Sequence, residues 1–494
     1  MHSTRLPTLR YLVAGLLTLV AVRPVTADSE VERLVTAMLG ETPIIEDLRS
    51  LTDEIGGRPT GSQPNVASVE WGVQRFEAAG IEVRSEAFDM PMLWLERGAK
   101  ATIRAADGGV GFSPRLASMP FSTAVKDMSA TLVDAGRGTE EDFSRLGATA
   151  EGAFVLIATD ELTDIPGLFK EYGDAYFIEG RALEAGAAGV VYVGSRPRNL
   201  LYRHNASRGP DTDRPMVVIE RDAGLRALRL LAEGHRLILD LTLDLDIGPT
   251  YESHNVIAEI KGSAVPEEFV VLGAHLDSWG LGTGALDNGC NVALVIDVAR
   301  QIRRLGLTPR RTIRFALWNG EEQGLQGSRG YTERHADELD RHVMASSFDI
   351  GSGRIEGFFT NGRAELIPVV EQALVPVAGL GPFTHINAPI VGTDNYDFMM
   401  QGVGNLVANQ ASANYGPNYH ARSDTFDKVD QRQLKLNSAI AAAAIWGFAN
   451  LEVSYARQDR AALDHLIETT DLGDQMRMFG LWDAWVEGVR GRSD

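Results

Sequence analysis

Phe269-Val270-Val271-Leu272-Gly273-Ala274-His275-Leu276-Asp277 and, further along, Thr312-Ile313-Arg314-Phe315-Ala316-Leu317-Trp318-Asn319-Gly320-Glu321-Glu322 share one build. Each is an apolar run of strand length that stops at side chains suited to holding a metal. The first ends in His275 and the second in Glu321 and Glu322. Between them a Gly-rich segment leads to Ala285-Leu286-Asp287-Asn288-Gly289, followed by an amphipathic, helix-like segment over residues 291–305. Buried strands alternating with helices are the mark of a sheet with parallel strands and helices on both faces. In such a sheet ligands gather outside the carboxyl ends of the strands.

Outward from this centre the pattern continues. Residues 343–348 read as a strand ending in Asp349, 364–378 as a helix, 404–408 as a short strand and 433–453 as a long helix. Upstream, residues 29–39, 43–55 and 66–79 are helix-like, Gly56 to Ser62 is rich in turn residues, and 81–87 alternates as a half-buried strand does. Residues 128–248 differ in character. They hold short apolar runs, Thr131-Leu132-Val133-Asp134, Ala153-Phe154-Val155-Leu156-Ile157 and Gly189-Val190-Val191-Tyr192-Val193, a helix over 178–187, and an alternating stretch over 237–247. The expected organisation is a discontinuous main domain (28–127 and 249–455), an inserted small β-rich domain (128–248) and a C-terminal helical extension (456–494). The fold class is α/β, a doubly wound mixed sheet with that insert.

The chain has 494 residues, 44% hydrophobic and 23% charged, an ordinary balance for a globular protein. A formal net charge of -20 argues against a nucleic-acid partner, which needs a basic face. Arg5 and Arg10 precede an apolar segment, residues 12–22, too short to span a bilayer comfortably, and Val25-Thr26-Ala27 offers small residues of the kind a signal peptidase cuts after. Residues 1–27 are therefore expected to be a removed export signal. The mature chain is then periplasmic or secreted, with no stable membrane insertion. Cys290 is the single cysteine, so no intramolecular disulfide forms, and it reads as a small packed thiol.

The chemistry lies in the polar residues at the strand ends. His275, Asp349 and the pair Glu321-Glu322 sit there, Asp287 lies in the loop after the first strand, and His420 comes from a later loop, Asn418-Tyr419-His420-Ala421-Arg422-Ser423-Asp424-Thr425. Two histidines and three carboxylates, with a fourth carboxylate left over, are what two zinc ions need when one carboxylate bridges them. In this reading Asp287 bridges, His275 and Asp349 complete one site, and Glu322 and His420 the other. Glu321 is the general base and later the acid that protonates the leaving amine. Asp277 is placed to hydrogen-bond the His275 imidazole, and Tyr419 to donate to the tetrahedral oxyanion. Taken singly, each piece has an ordinary explanation. His-x-Asp suits a turn, Glu-Glu a helix N-terminus and Asp287-Asn288-Gly289 a helix cap. Their succession at strand ends points to the metal site.

At these residues the chain resembles the M28 zinc exopeptidases. The similarity covers His275-Leu276-Asp277, Gly284 to Gly289, Leu317 to Gly324, Phe348-Asp349, and Tyr419-His420 through Ser423-Asp424-Thr425. His275-Leu276-Asp277-Ser278-Trp279 is most similar to the carboxypeptidase Q branch. The insert resembles a protease-associated domain, most of all over residues 182–194. The resemblance implies a di-zinc peptidase acting on short peptides with a free amino terminus. It also implies that Thr393, Asp394 and Asn395 line the substrate pocket. Asn395 stands where many relatives have His, and Asn288 where many have a second Asp. The alternatives are an M20-type amidohydrolase, whose extra domain follows the Glu-Glu pair, a catalytically silent binding protein, and a glutaminyl cyclase. The insert lies ahead of His275 and neither the ligands nor the base are missing, which favours the peptidase. A homodimer stays open.

Overall fold

The computed structural model describes residues 29–204, 209–453 and 455–493; the expected export segment, 1–27, lies outside the described residues. Two mixed sheets organise the chain, one of seven strands and one of eight.

In the seven-stranded sheet the order is Glu82–Met90, Tyr251–Ile260, Arg311–Trp318, Val265–His275, His342–Ser347, Asn405–Gln410 and Ile355–Phe359. The four strands Arg311–Trp318, Val265–His275, His342–Ser347 and Asn405–Gln410 run parallel, and the pairings outside them are antiparallel. Register brings His275 opposite Trp318 and Gly273 opposite Ser347, so three neighbouring strands end on one side of the sheet. Alternate side chains serve two cores. Val270, Leu272 and Ala274 face one set of helices, while Val271, Ala316 and Ala345 join Tyr331 and Phe398 on the other face.

The helix Cys290–Arg304 forms over the amphipathic segment expected. It is buried on nearly every side, because Glu30–Leu39, Ile44–Arg49 and Gln431–Asn450 pack over the face it turns away from the sheet. Its polar side chains pair within the protein: Asp297 accepts from Arg300 at 2.8 Å and from Gln301 at 3.3 Å. Cys290 is fully buried among them.

The second sheet has the order Gly111–Phe112, Leu93–Ala105, Leu237–Gly248, Val125–Asp134, Phe154–Ile157, Gly189–Val193, Met216–Ile219, Leu116–Ser118. It therefore begins at Leu93, upstream of the boundary at 128 read from the sequence. The alternating stretch Leu237–Gly248 pairs along its whole length with Leu93–Ala105. Glu82–Met90 and Leu93–Ala105 look like one long alternating segment, but Pro91 ends the first by removing a ladder donor, and the chain changes sheets there. The insert also holds three helices, Glu140–Leu146, Ile165–Glu184 and Arg221–Ala232, and four adjacent parallel strands, which makes it α/β rather than simply β-rich. Ile165–Glu184 starts well ahead of residue 178. Asp164 caps it by accepting from the Gly167 amide at 2.8 Å, and Pro166 sits in its first turn.

Beyond the main domain, Arg460–Thr469, Leu472–Met478 and Trp482–Val486 pack Leu463, Leu472, Met476 and Trp485 against Leu325, Val391, Tyr396 and Met400. A buried ion pair, Arg490 with Asp397 at 2.7 Å, ties the end of this segment down. No helix among the described residues is long and apolar enough to cross a membrane.

Candidate metal centre

Five buried side chains converge at the carboxyl ends of the central strands. His275 ends its strand, Asp349 follows the strand His342–Ser347, and Glu322 follows Arg311–Trp318. Asp287 and His420 come from loops. His275 Nε2 lies 3.1 Å from Asp287 Oδ1 and 3.0 Å from Asp349 Oδ1. His420 Nε2 lies 3.3 Å from Asp287 Oδ2 and 2.9 Å from Glu322 Oε2. The ligand-type atoms of His275, Asp287 and Asp349 all lie within 4.8 Å of one another, as do those of Asp287, Glu322 and His420. Asp287 belongs to both triads and turns one oxygen to each.

Neighbouring side chains hold the loops. Asp424 accepts from the amides of Ala285, Leu286 and Asp287 at 3.1, 2.7 and 3.2 Å, which pins the bridge between the triads. Asn288 donates to the Phe348 carbonyl at 2.8 Å and so ties that loop to the Asp349 strand. Arg58, wholly buried, donates to the carbonyls of Gly56, Leu276, Thr283 and Gly284. Beside it Gly57 allows a close approach, since a Cβ there would lie 2.7 Å from the Gly282 carbonyl oxygen. The sequence alone singles out neither Arg58 nor Asp424. Its only trace of them is a lone cation inside a Gly-rich turn, and an Asp in the quoted motif with no role attached.

Asp277 differs from expectation. The His275 Nδ1 proton goes to the Asp277 main-chain carbonyl at 3.0 Å, and the carboxylate stands 3.7 Å away. That carboxylate instead accepts from the amides of Glu321 and Glu322 at 3.2 and 3.3 Å and from the Thr60 hydroxyl at 2.8 Å. The side chain orients the Glu-Glu turn, and the backbone orients the imidazole.

The charge of the cluster suits cations. Burial works against charged imidazole, yet Asp349 and Glu321 raise His275 well above its ordinary value. In the same way Glu322 overcomes burial and lifts His420 to about 9. Burial pushes Glu322 up to about 7 and Glu321 well above the usual carboxyl range. For Asp287 burial is outweighed by the two imidazoles beside it, which hold it below that range. Crowded carboxylates that draw protons onto their histidines are suited to giving those protons up to metal ions. The donor set fits: two nitrogen and several hard oxygen ligands, with Asp287 Oδ2 buried and making no hydrogen bond.

Residues 255–445 match the model of peptidase family M28. The carboxypeptidase Q of Bos taurus is 26% identical over 425 residues, covering 82% of this chain and 85% of that protein. The crystal structure of a peptidase M28 precursor from Shewanella amazonensis superposes with a TM-score of 0.76 at 27% identity, over 87% of this chain and 97% of that one. Over residues 255–445 the chain carries a peptidase family M28 domain. A zinc aminopeptidase from Bacillus subtilis shares the fold, with a TM-score of 0.66 at 21% identity over 84% of this chain and 96% of that one. With that domain the chain is a metallopeptidase, and peptides are its substrates.

Two cavities adjoin the metal centre. The larger, about 440 Å³, is lined by Glu321, Glu322 and Tyr419 of the main domain, Phe121 and Tyr172 of the insert, and Phe479 of the C-terminal segment. The smaller, about 70 Å³ and mostly apolar, lies beside Asp349 and Thr393 and takes Leu168 and Phe169 from the insert. Tyr172 and Phe479 stack at 5.1 Å and line both. The participation of the insert and the C-terminal segment leaves no signal in the sequence. The Tyr419 hydroxyl is 2.7 Å from that of Tyr172, and its ring stacks on His420 at 3.7 Å. Of the segment expected to line the pocket, Thr393 does so. Asp394 is buried with a raised pKa caused by that burial. Asn395 starts a helix and donates to the Ile390 carbonyl at 3.1 Å, a structural bond.

Proposed function

We propose that the protein is an exported di-zinc exopeptidase that cleaves short peptides bearing a free amino terminus, as an aminopeptidase or dipeptidase. What carries this reading is Asp287, whose two carboxylate oxygens each face a different His-carboxylate pair. Zinc is supported by the N/O donor set and by the likeness to the Bacillus subtilis zinc aminopeptidase, the exopeptidase reading by the names of the relatives. Export is supported by the charged and apolar pattern of residues 1–27 and the insert's protease-associated character by residues 182–194.

In this mechanism His275, Asp287 and Asp349 would hold one ion and Asp287, Glu322 and His420 the other. Bound there, zinc would supply Lewis acidity for the scissile carbonyl and the attacking water. Glu321, partly exposed to the large cavity and with its pKa raised by burial, takes the proton of the attacking water at a carboxylate oxygen and delivers it to the leaving amine. Asp277 fixes the turn that aims Glu321. Tyr419, with Tyr172 at its hydroxyl, is placed to donate to the oxyanion. The small apolar cavity suits an aliphatic amino-terminal side chain, and the large one the rest of a short peptide.

A panel of dipeptides and aminoacyl arylamides, each run with and without a chelator, tests the proposal. Hydrolysis of free-amino substrates that stops on chelation and returns with zinc is the expected outcome. Equal hydrolysis of amino-blocked peptides, or activity untouched by the chelator, overturns it.

A further inference from the structure

The two metal-facing histidines are held in different ways. His275 donates its second ring nitrogen to a carbonyl, the usual device for aiming a ligand imidazole. His420 has no such anchor: its Nδ1 is buried and makes no hydrogen bond. Its backbone also sits at φ 54, the left-handed region that a non-glycine residue occupies only when its surroundings hold it there. The aim of this ring depends on what grips its backbone and what stacks on its face.

The grip comes from the insert, and the insert also holds the stacking ring. Residues 201–203 run antiparallel to residues 420–422: Tyr202 bridges Ala421, the Arg203 amide donates to the His420 carbonyl at 3.0 Å, and the Arg422 amide to the Leu201 carbonyl at 2.9 Å. Tyr419, stacked on the His420 imidazole, is bonded through its hydroxyl to Tyr172 of the insert helix Ile165–Glu184. Arg196 locks these pieces together. It is fully buried, donates from Nη1 to Glu171 at 2.8 Å, and lies 3.4 Å from the Tyr419 carbonyl through Nε. Its guanidinium covers the Tyr202 ring at 3.9 Å. Glu171 in turn accepts from Ser195 at 2.9 Å and from the Tyr202 hydroxyl. One planar cation thus touches the insert helix, Tyr202 of the segment 201–203 and the ligand loop, a fork geometry that Lys cannot reproduce.

We propose that Arg196 is a positioning residue for the ligand His420, so that docking of the insert completes the Asp287–Glu322–His420 half of the metal centre. The inference rests on the two-metal reading above and extends it to a part of the chain that holds no ligand.

The test is zinc titration of the metal-free full-length protein in competition with a chromophoric chelator. The wild type is expected to take two ions. In Arg196→Met one site weakens by about 10–100-fold, the range for loss of an orienting contact, while the other is unchanged. Removing Arg196 alone leaves Glu171 buried without its cation, so Arg196→Met combined with Glu171→Gln removes both charges, and melting of the metal-free protein checks the fold. If that pair does not fold, Arg196→Lys decides, because it keeps a cation facing Glu171 and still loses the fork; a smaller loss at the same single site is expected. Wild-type affinity at both sites in a folded variant, or equal weakening of both, overturns the positioning role alone. A wild type that binds fewer than two ions overturns the two-metal reading and this inference with it.

Discussion

The half of the centre built on His275 and Asp349 and the half built on Glu322 and His420 share Asp287 but little of their support. In the first, both outer side chains stand at the ends of adjacent parallel strands, and the His275 ring is aimed by a carbonyl two residues along its own chain. Its geometry follows from the sheet. In the second, Glu322 sits on a turn held by Asp277, while His420 lies in a loop with left-handed backbone that the insert grips from outside. One half is local and rigid; the other depends on two domains meeting. A bridge whose loop donates three amides to Asp424 joins them.

The largest effect should come from the shared residue. Asp287→Asn is expected to lower metal content in both halves and reduce turnover to background, measured as zinc per chain by atomic absorption beside the peptide assay. Retention of two ions would show that the halves do not share this carboxylate. Next in size, Glu321→Gln is expected to keep both ions and lose about 10²–10⁴-fold in kcat, because only the proton shuttle is removed. A parallel loss of metal would move Glu321 into one of the halves as a ligand.

Smaller effects separate the domains by pH. His342, in the main domain, donates from Nδ1 to the Glu338 carbonyl and accepts from Tyr331, and burial lowers its pKa from 6.5 to about 3. Between those values the unfolded chain binds a proton that the folded one refuses, so stability is full above about 6.5 and falls with falling pH. In the insert, burial of Glu171 is outweighed by Arg196, which takes its pKa from 4.5 to about 2, so that contribution is lost only as pH drops from 4.5 towards 2. Urea midpoints of His342→Gln should show a flattened dependence between pH 6.5 and 4.5, where the wild type loses at most about 1.4 kcal/mol per pH unit to this residue. An unchanged slope there would assign the acid sensitivity elsewhere.

The residue order points to five ligand-type side chains, and the fold brings all five into two overlapping triads. It says less wherever a residue's role depends on what another part of the chain does. From spacing alone the Asp277 carboxylate belongs to an imidazole, but the turn that supplies the Glu321 and Glu322 amides competes for it and wins. The insert boundary at 128 rests on a change in the character of the sequence there, which does not say that Leu93–Ala105 joins the sheet of Leu237–Gly248. Arg58, Tyr172, Arg196 and Phe479 carry no periodic or motif signal, since each acts through contacts with distant segments.

Residue order alone settled which segments are buried strands and which polar residues follow them, because apolar period and chain position are properties of neighbours in sequence. It thereby specified the chemistry on offer at the sheet's edge. Where the bridge Asp287 points, what aims His420, and what walls the cavities were decided only in three dimensions. Loop backbones, a buried guanidinium and stacked rings take their places from partners far along the chain, and no local pattern encodes those partners.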